Sequence, residues 1–261
     1  MVRVFGQKHG YACRTLVLCY HSVSDTWDVP WSVTTTQLRE QLALLVSRGY
    51  RAVTFSEAVT SKPTGPRMAV TFDDGFASVL ELAFPILSSL DVVATIFVVT
   101  DFADHDEPLE WPGVERWRGG VHAREVRGLS WTELDELAGS GWEVGSHTRT
   151  HPRLTTLADD AVAAELRGSR AACERALGRP CRSLAYPYGD ADARVVEAAR
   201  DAGYTAAATL PVGVSGGTPL SWPRTGVYRR DSLRRFRLKV SPTIGRLRET
   251  LAPLETHVRA R

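Results

Sequence analysis

The sequence predicts a single α/β domain with a mostly parallel sheet. Three observations carry this. Short apolar runs alternate with amphipathic stretches of helical spacing along most of the chain. One run, 92–99, is rich in β-branched residues and nearly unbroken by polar ones, as a strand covered on both faces requires. Polar residues of chemical interest directly follow several of these runs, and the carboxyl ends of strands are where α/β sheets build their sites.

Residues 15–20 (TLVLCY) read as the first strand. Residues 35–48 read as a helix, with Leu38, Leu42 and Leu45 on one face and Gly49 as its stop. A second buried strand, 68–72, ends in Asp73, Asp74 and Gly75. The spacing over 76–90 is helical, and Pro85 bends or divides that helix. After the strand at 92–99 comes a polar stretch, 100–128, with Pro108, Pro112, Gly113, Gly119 and Gly120. It carries Trp111 and Trp117, and a connection of this length predicts a functional loop or lid. Ser130 caps a helix over 130–138, with Glu133 three residues on. A short strand at 142–145 precedes a long Ala-rich helix at 156–177. Strand 183–186, helix 191–202, strand 204–208 and a loop at 213–217 follow. Residues 232–258 look helical, interrupted near Pro242. With no internal repeat, low-complexity tract or clear linker, one domain is expected over 10–240, with a helical tail over 241–261 packed on or flanking it.

The 261 residues carry a net charge of only +2, which excludes the broad basic field of a dedicated nucleic-acid binder. Lys occurs only at Lys8, Lys62 and Lys239, so the basic side is almost all Arg, and the Arg-rich run 229–237 reads as a solvated helical face. Cys13, Cys19, Cys173 and Cys181 form no C-x-x-C pair and no disulfide framework; Cys19, inside an apolar run, reads as a small buried residue. The N-terminus lacks a continuous apolar core, and no stretch reaches membrane-spanning length. The expectation is a soluble, cytoplasmic protein without membrane or nucleic-acid partners. A chain carrying an export signal ahead of this one would read the same. The oligomeric state is not legible.

Four strands deliver polar residues to one edge. His21 follows 15–20, Asp73 and Asp74 follow 68–72, His147 and His151 follow 142–145, and Tyr188 with Gly189 follows 183–186. His147 and His151 stand four apart in SHTRTHP. If that segment turns helically, both imidazoles face one way, as two metal ligands must. The alternative is a Ser/Thr-rich turn with two surface histidines. Two imidazoles and a carboxylate suit zinc or another borderline ion better than magnesium. Side chains of adjacent residues diverge, so one of Asp73 and Asp74 can bind metal while the other acts as general base on a water. The alternative is a helix N-cap beside an acidic turn. Asp104, His105 and Asp106 look ligand-like but have no strand behind them, and are expected to be solvated.

Taken together, TFDDGF at 71–76, SHTRTHP at 146–152 and AYPYG at 185–189 resemble the polysaccharide deacetylase family, also called NodB-homology or carbohydrate esterase family 4. LCYHSV at 18–23 resembles the branch that deacetylates poly-N-acetylglucosamine, in which a Tyr-His pair follows the first strand. The similarity spans 16–236. It implies a distorted (β/α)7-type barrel. It implies a divalent metal ion, zinc foremost with cobalt or nickel as alternatives, on Asp74, His147 and His151. Asp73 becomes the general base, and the backbone N–H of Tyr188 an oxyanion donor. His21 becomes the general acid that protonates the leaving amine, on the opposite side of the tetrahedral intermediate from the base.

The sequence departs from the family in two places. Many members have Arg-Pro-Pro-Tyr-Gly in the third motif, where an Arg braces the catalytic Asp; here Ala185 and Tyr186 replace that Arg and the first Pro. Arg224, in WPRTG, is the candidate replacement brace. The late Leu-x-His element is matched only by LETH at 254–257, beyond the expected barrel end, so His21 is preferred over His257 as the acid. The implied substrate is an N-acetylated amino sugar or glycoconjugate, and a small molecule is favoured over a wall polymer. Trp111 and Trp117 either offer stacking faces to a sugar or anchor their loop. Two other readings remain: an amidase or deformylase acting on a non-carbohydrate or natural-product substrate, and a non-catalytic sugar- or metal-binding protein. Asp73 speaks against the last, because a binder needs no base.

Overall fold

The computed structural model describes residues 15–103, 108–210 and 218–241. Cys13, Asp104, His105, Asp106, the loop at 213–217 and the tail from 242 on, including His257, lie outside the described residues. Strand β1 (Thr15–Tyr20) leads into a small parallel pair, β2 (Ser22–Val23) and β3 (Ser32–Val33), and then α1 (Thr35–Ser47). There follow β4 (Arg51–Ala52), α2 (Phe55–Thr60) and β5 (Arg67–Phe72), then a π-helical turn at Val79–Ala83, α3 (Phe84–Ser88) and β6 (Ala94–Val98). The second half runs α4 (Trp131–Gly139), β7 (Glu143–Ser146), α5 (Asp159–Leu177), β8 (Ser183–Ala185), α6 (Ala193–Asp201) and β9 (Ala206–Thr209). It closes with β10 (Trp222–Pro223), β11 (Thr225–Gly226) and α7 (Leu233–Lys239). No described helix is long and apolar enough to cross a membrane.

Local chemistry explains most boundaries. Thr34 and Gln37 form a capping box at the start of α1, and Leu38, Leu42 and Leu45 are its buried stripe. Ser130 and Glu133 do the same for α4, as their spacing predicts. The long helix α5 starts at Asp159 rather than at 156, because a 3₁₀ turn at Leu154–Thr156 precedes it. Asp159 and Asp160 then sit in its first turn, where the helix dipole favours negative charge. The predicted break near Pro85 is a change of register. Pro85 has no N–H for the carbonyl of Glu81, and the π turn absorbs the lost bond before α3 resumes.

The main sheet runs β10-β9-β8-β7-β6-β5-β1-β11, with β4 beside β5, and its strand pairs are parallel. β10 and β11 are two halves of one segment, separated only by Arg224. The first half pairs with β9 and the second with β1, at Leu18↔Thr225 and Cys19↔Gly226. That segment joins the two ends of the sheet into the distorted barrel the resemblance implies. The second half and the six-residue α2 are too short to show periodicity, and neither is predicted from the sequence.

Strand alternation divides the apolar residues between two cores. Leu16, Leu18, Tyr20, Met68, Val70 and Phe72 face outward into the large core under the helices. Val17, Ala69, Phe97, Ala185, Ala206 and Ala208 face the narrow interior, together with Phe55, Ala58 and Val59 of α2. Phe55 packs edge-on to Phe97 at 5.5 Å and its N–H bonds Thr95, so α2 plugs the amino end of the barrel. Gly145 has no side chain for a physical reason: a Cβ there would lie 2.6 Å from the Phe97 ring. The same alternation continued along β1 and β5 brings Cys19, Thr71 and Asp73 onto the inward side. The opposite, carboxyl end is where the polar residues gather.

A candidate metal centre at the carboxyl ends of the strands

Asp74 follows β5 at φ 74°, and Gly75 follows it at φ 76°. Two successive left-handed residues turn the chain sharply, so the carboxylates of Asp73 and Asp74 reach different partners. His147 and His151 converge without the helical turn expected from their spacing. Thr148 and His151 both adopt positive φ, and the Thr148 hydroxyl accepts the His151 N–H at 3.1 Å. Among the described residues, five non-glycine positions have positive φ, and four of them are Asp74, Thr148, His151 and Tyr188. Left-handed backbone costs about 1–2 kcal/mol per ordinary residue, so this chain concentrates its strain at one place.

Asp74 Oδ1 lies 3.4 Å from His147 Nε2 and 3.5 Å from His151 Nε2, with all three side chains buried. The three ligand atoms fall within 4.8 Å of one another. Two ligands held about 2.1 Å from a common ion at the tetrahedral angle would stand about 3.4 Å apart, so the cluster fits a zinc-like ion. His147 Nδ1 is 2.7 Å from the Ala185 carbonyl and donates to it, which leaves the Nε2 lone pair toward Asp74. Burial pushes His147 down, but its bond to Asp74 and the nearby charge of Asp73 outweigh this and raise it above the ordinary imidazole value. His151 is pushed down to about 3, by burial first and then by His147. The two rings thus accept one proton between them far more readily than two.

Asp73 has partners of its own. Arg224 Nη1 donates to its Oδ1 at 2.6 Å and Nη2 to its Oδ2 at 2.7 Å, a bidentate pair wholly out of solvent. The Cys19 thiol adds a third donor, 3.4 Å from Oδ2. Sequence reasoning took Cys19 for apolar filling and missed this contact. Burial pushes the Asp73 carboxyl up; Arg224, followed by His147, overcomes it and holds the group well below the usual carboxylate range. Arg224 reaches Asp73 because it is the residue between β10 and β11, over the interior and 5.6 Å from the Phe97 ring.

Tyr20 and Phe72 are register partners in β1 and β5, so the next residues, His21 and Asp73, emerge side by side. Ligand atoms of Cys19, His21 and Asp73 lie within 4.8 Å of one another. His21 is therefore beside Asp73. This second group suits a cation poorly, because Arg224 already occupies both Asp73 oxygens.

The 108–128 loop is docked rather than free. Leu109, Trp111, Val114 and Val126 pack with Trp27, Phe76 and Val99. Trp111 is buried against His151, and Trp117 meets Trp27 edge-on at 5.8 Å. Both anchor the loop, and Trp111 has no open face for a sugar. The exposed aromatic at the site is Tyr188, 44% accessible, with the Arg153 guanidinium 4.6 Å from its ring centre.

The Asp73–Arg224 pair carries a pH signature. The folded carboxyl titrates below 3.8, so on acidification the unfolded chain takes up this proton first. The pair's stabilisation is complete above about pH 5 and is lost as the pH falls through 3.8 toward the folded value. Urea melts of wild type and Asp73→Asn should therefore differ by a constant stability above about pH 5, and by progressively less below about pH 4.

A family model for polysaccharide deacetylase matches residues 60–207. The chain is 24% identical over 204 residues to YxkH of Bacillus subtilis (strain 168), covering 76% of this chain and 65% of that protein. It is 27% identical over 240 residues to the poly-beta-1,6-N-acetyl-D-glucosamine N-deacetylase of Escherichia coli (strain K12), covering 78% of this chain and 35% of that protein. It thus spans less than two thirds of either relative. Among solved structures, Streptococcus pyogenes deacetylase PplD in complex with acetate matches with a TM-score of 0.73 at 20% identity, over 87% of this chain and 98% of that one, a likeness of fold. A polysaccharide deacetylase from Bacillus cereus matches with a TM-score of 0.72 at 26% identity, over 87% and 69%. With the family match covering more than half of its length, the chain belongs to the polysaccharide deacetylase family, carbohydrate esterase family 4, close to the poly-β-1,6-N-acetylglucosamine deacetylase branch.

Proposed function

We propose that this protein is a metal-dependent hydrolase that removes the N-acetyl group from an amino sugar, carried on a glycan or a smaller glycoconjugate. One observation carries the reading. A three-ligand cluster, Asp74, His147 and His151, shares one barrel end with a separately braced carboxylate, Asp73. A pure binding site has no use for the second carboxylate, whereas amide hydrolysis needs both a cation and a base. Asp74, His147 and His151 would hold a divalent ion, zinc foremost, which would supply Lewis acidity there.

The chain's own residues account for the proton transfers. Asp73, kept ionised by Arg224, takes a proton from the attacking water. The Tyr188 backbone N–H, on the strained turn after β8, would donate to the developing oxyanion. His21 delivers a proton to the leaving amine, which otherwise departs poorly.

The test is acetate release from N-acetylglucosamine oligomers and small N-acetyl amino-sugar conjugates. Release should fall when the protein is stripped by a chelator and return with zinc, cobalt or nickel. Stoichiometric ion binding without acetate from any of these substrates would transfer the reading to another acyl group or amide. Failure to bind any ion would overturn it.

A further inference from the structure

His147 and His151 are held in different ways. His147 has a hydrogen bond from Nδ1 to a carbonyl, the usual device for fixing the ring of a metal ligand. The Nδ1 of His151 is buried and has no hydrogen-bond partner among the described residues. Aromatic rings surround it instead. Trp111 lies against it with ring centres 4.6 Å apart and planes 30° from parallel. Tyr188 meets it at 4.8 Å and 60°, and His147 at 4.9 Å and 64°. Tyr188 is open to solvent, so the Trp111 side is the rigid one.

Trp111 is itself fixed. It is 6% exposed, packs edge-on to Phe102 at 5.6 Å, and shares the cluster with Leu109, Val114 and Val126. His151 also sits at φ 62°, a conformation its own backbone does not favour. A strained residue with one unbonded ring nitrogen needs its orientation imposed from outside.

We propose that Trp111 is a positioning residue for His151. Ring packing does for this ligand what the Ala185 carbonyl does for His147, and the loop after β6 thereby becomes part of the metal site. The proposal rests on the reading that Asp74, His147 and His151 hold a divalent ion.

The experiment is Co²⁺ titration of the full chain against a chelating dye, with melting curves of each metal-free protein. Trp111→Leu removes the flat face and should weaken Co²⁺ binding about tenfold or more, with a shifted Co²⁺ absorption spectrum. Trp111→Met, also without a ring, should behave alike and serves if the leucine variant does not fold. Trp111→Phe should stay within about threefold of wild type. Trp117→Leu, which loosens the same loop without touching His151, should leave the affinity and the spectrum nearly unchanged. Ring-less variants that bind Co²⁺ as tightly as wild type would overturn this proposal alone, as would an equal loss in Trp117→Leu. A wild-type protein that binds no Co²⁺ would overturn both this proposal and the function on which it rests.

Discussion

Asp73→Asn is expected to lower kcat by about 10²–10⁴-fold while the protein still binds its ion, the usual range for loss of a positioned general base. The substitution keeps the shape of the side chain and removes its ability to accept a proton. Asp74 remains with its two histidines, so the ligand set is intact. Activity and metal content should therefore separate in this variant, whereas Asp74→Asn should lose both. The comparison needs acetate release and ion stoichiometry on the same samples. Asp73→Asn with near wild-type turnover would remove Asp73 from the reaction. The variant also leaves the Arg224 cation buried without its counter-charge, and breaking a buried pair from one side costs about 3–5 kcal/mol. Assays belong at low temperature, well below the melting point of the variant.

Arg224→Met should be destabilising by a similar amount, about 3–5 kcal/mol, because it leaves the Asp73 carboxylate buried and uncompensated. The group then loses the influence that holds it low, and burial pushes it up. The expected rescue is informative. Asp73→Asn with Arg224→Met removes both charges together, and the double variant should recover much of the stability lost by either single one. Urea melts of the four proteins measure the coupling. Additive losses would show that the two residues do not act as a pair. Activity should not recover in the double variant, since the base is still absent. Stability that returns without turnover would separate the brace from the chemistry it serves.

Much of the site was legible because strand ends are legible. The run before Asp73 and Asp74 is long, apolar and sharply terminated, and the divergence of two adjacent carboxylates follows from chain geometry alone. The capping pair Ser130 and Glu133 set one helix start for the same local reason. What depended on register was hidden. That His21 neighbours Asp73 follows from the pairing of Tyr20 with Phe72, and nothing within either strand announces which residues will pair. Cys19 was obscured by its own surroundings. In a strand buried on both faces the alternation of polar and apolar residues vanishes, so an inward residue beside a carboxylate looks like any core position. The histidine spacing misled for another reason. Four residues apart is a helical signal, but here two left-handed residues produce the same convergence by a tight turn. For the tryptophans, composition supplied two possible roles, and only burial decides between them.

The short closing segment has a consequence for how the protein is made. Arg224 meets Asp73 across 151 positions of chain, and the same five residues that carry it fill the gap between β9 and β1. A growing chain that has not yet released them from the ribosome is an open sheet with two unpaired edges, the form most prone to join a neighbour strand to strand. Asp73 also lacks its cation at that stage. Setting that segment in place covers both edges and supplies the guanidinium in one event, dependent on long-range pairing. Closure of the barrel and the bracing of Asp73 are thereby the same step.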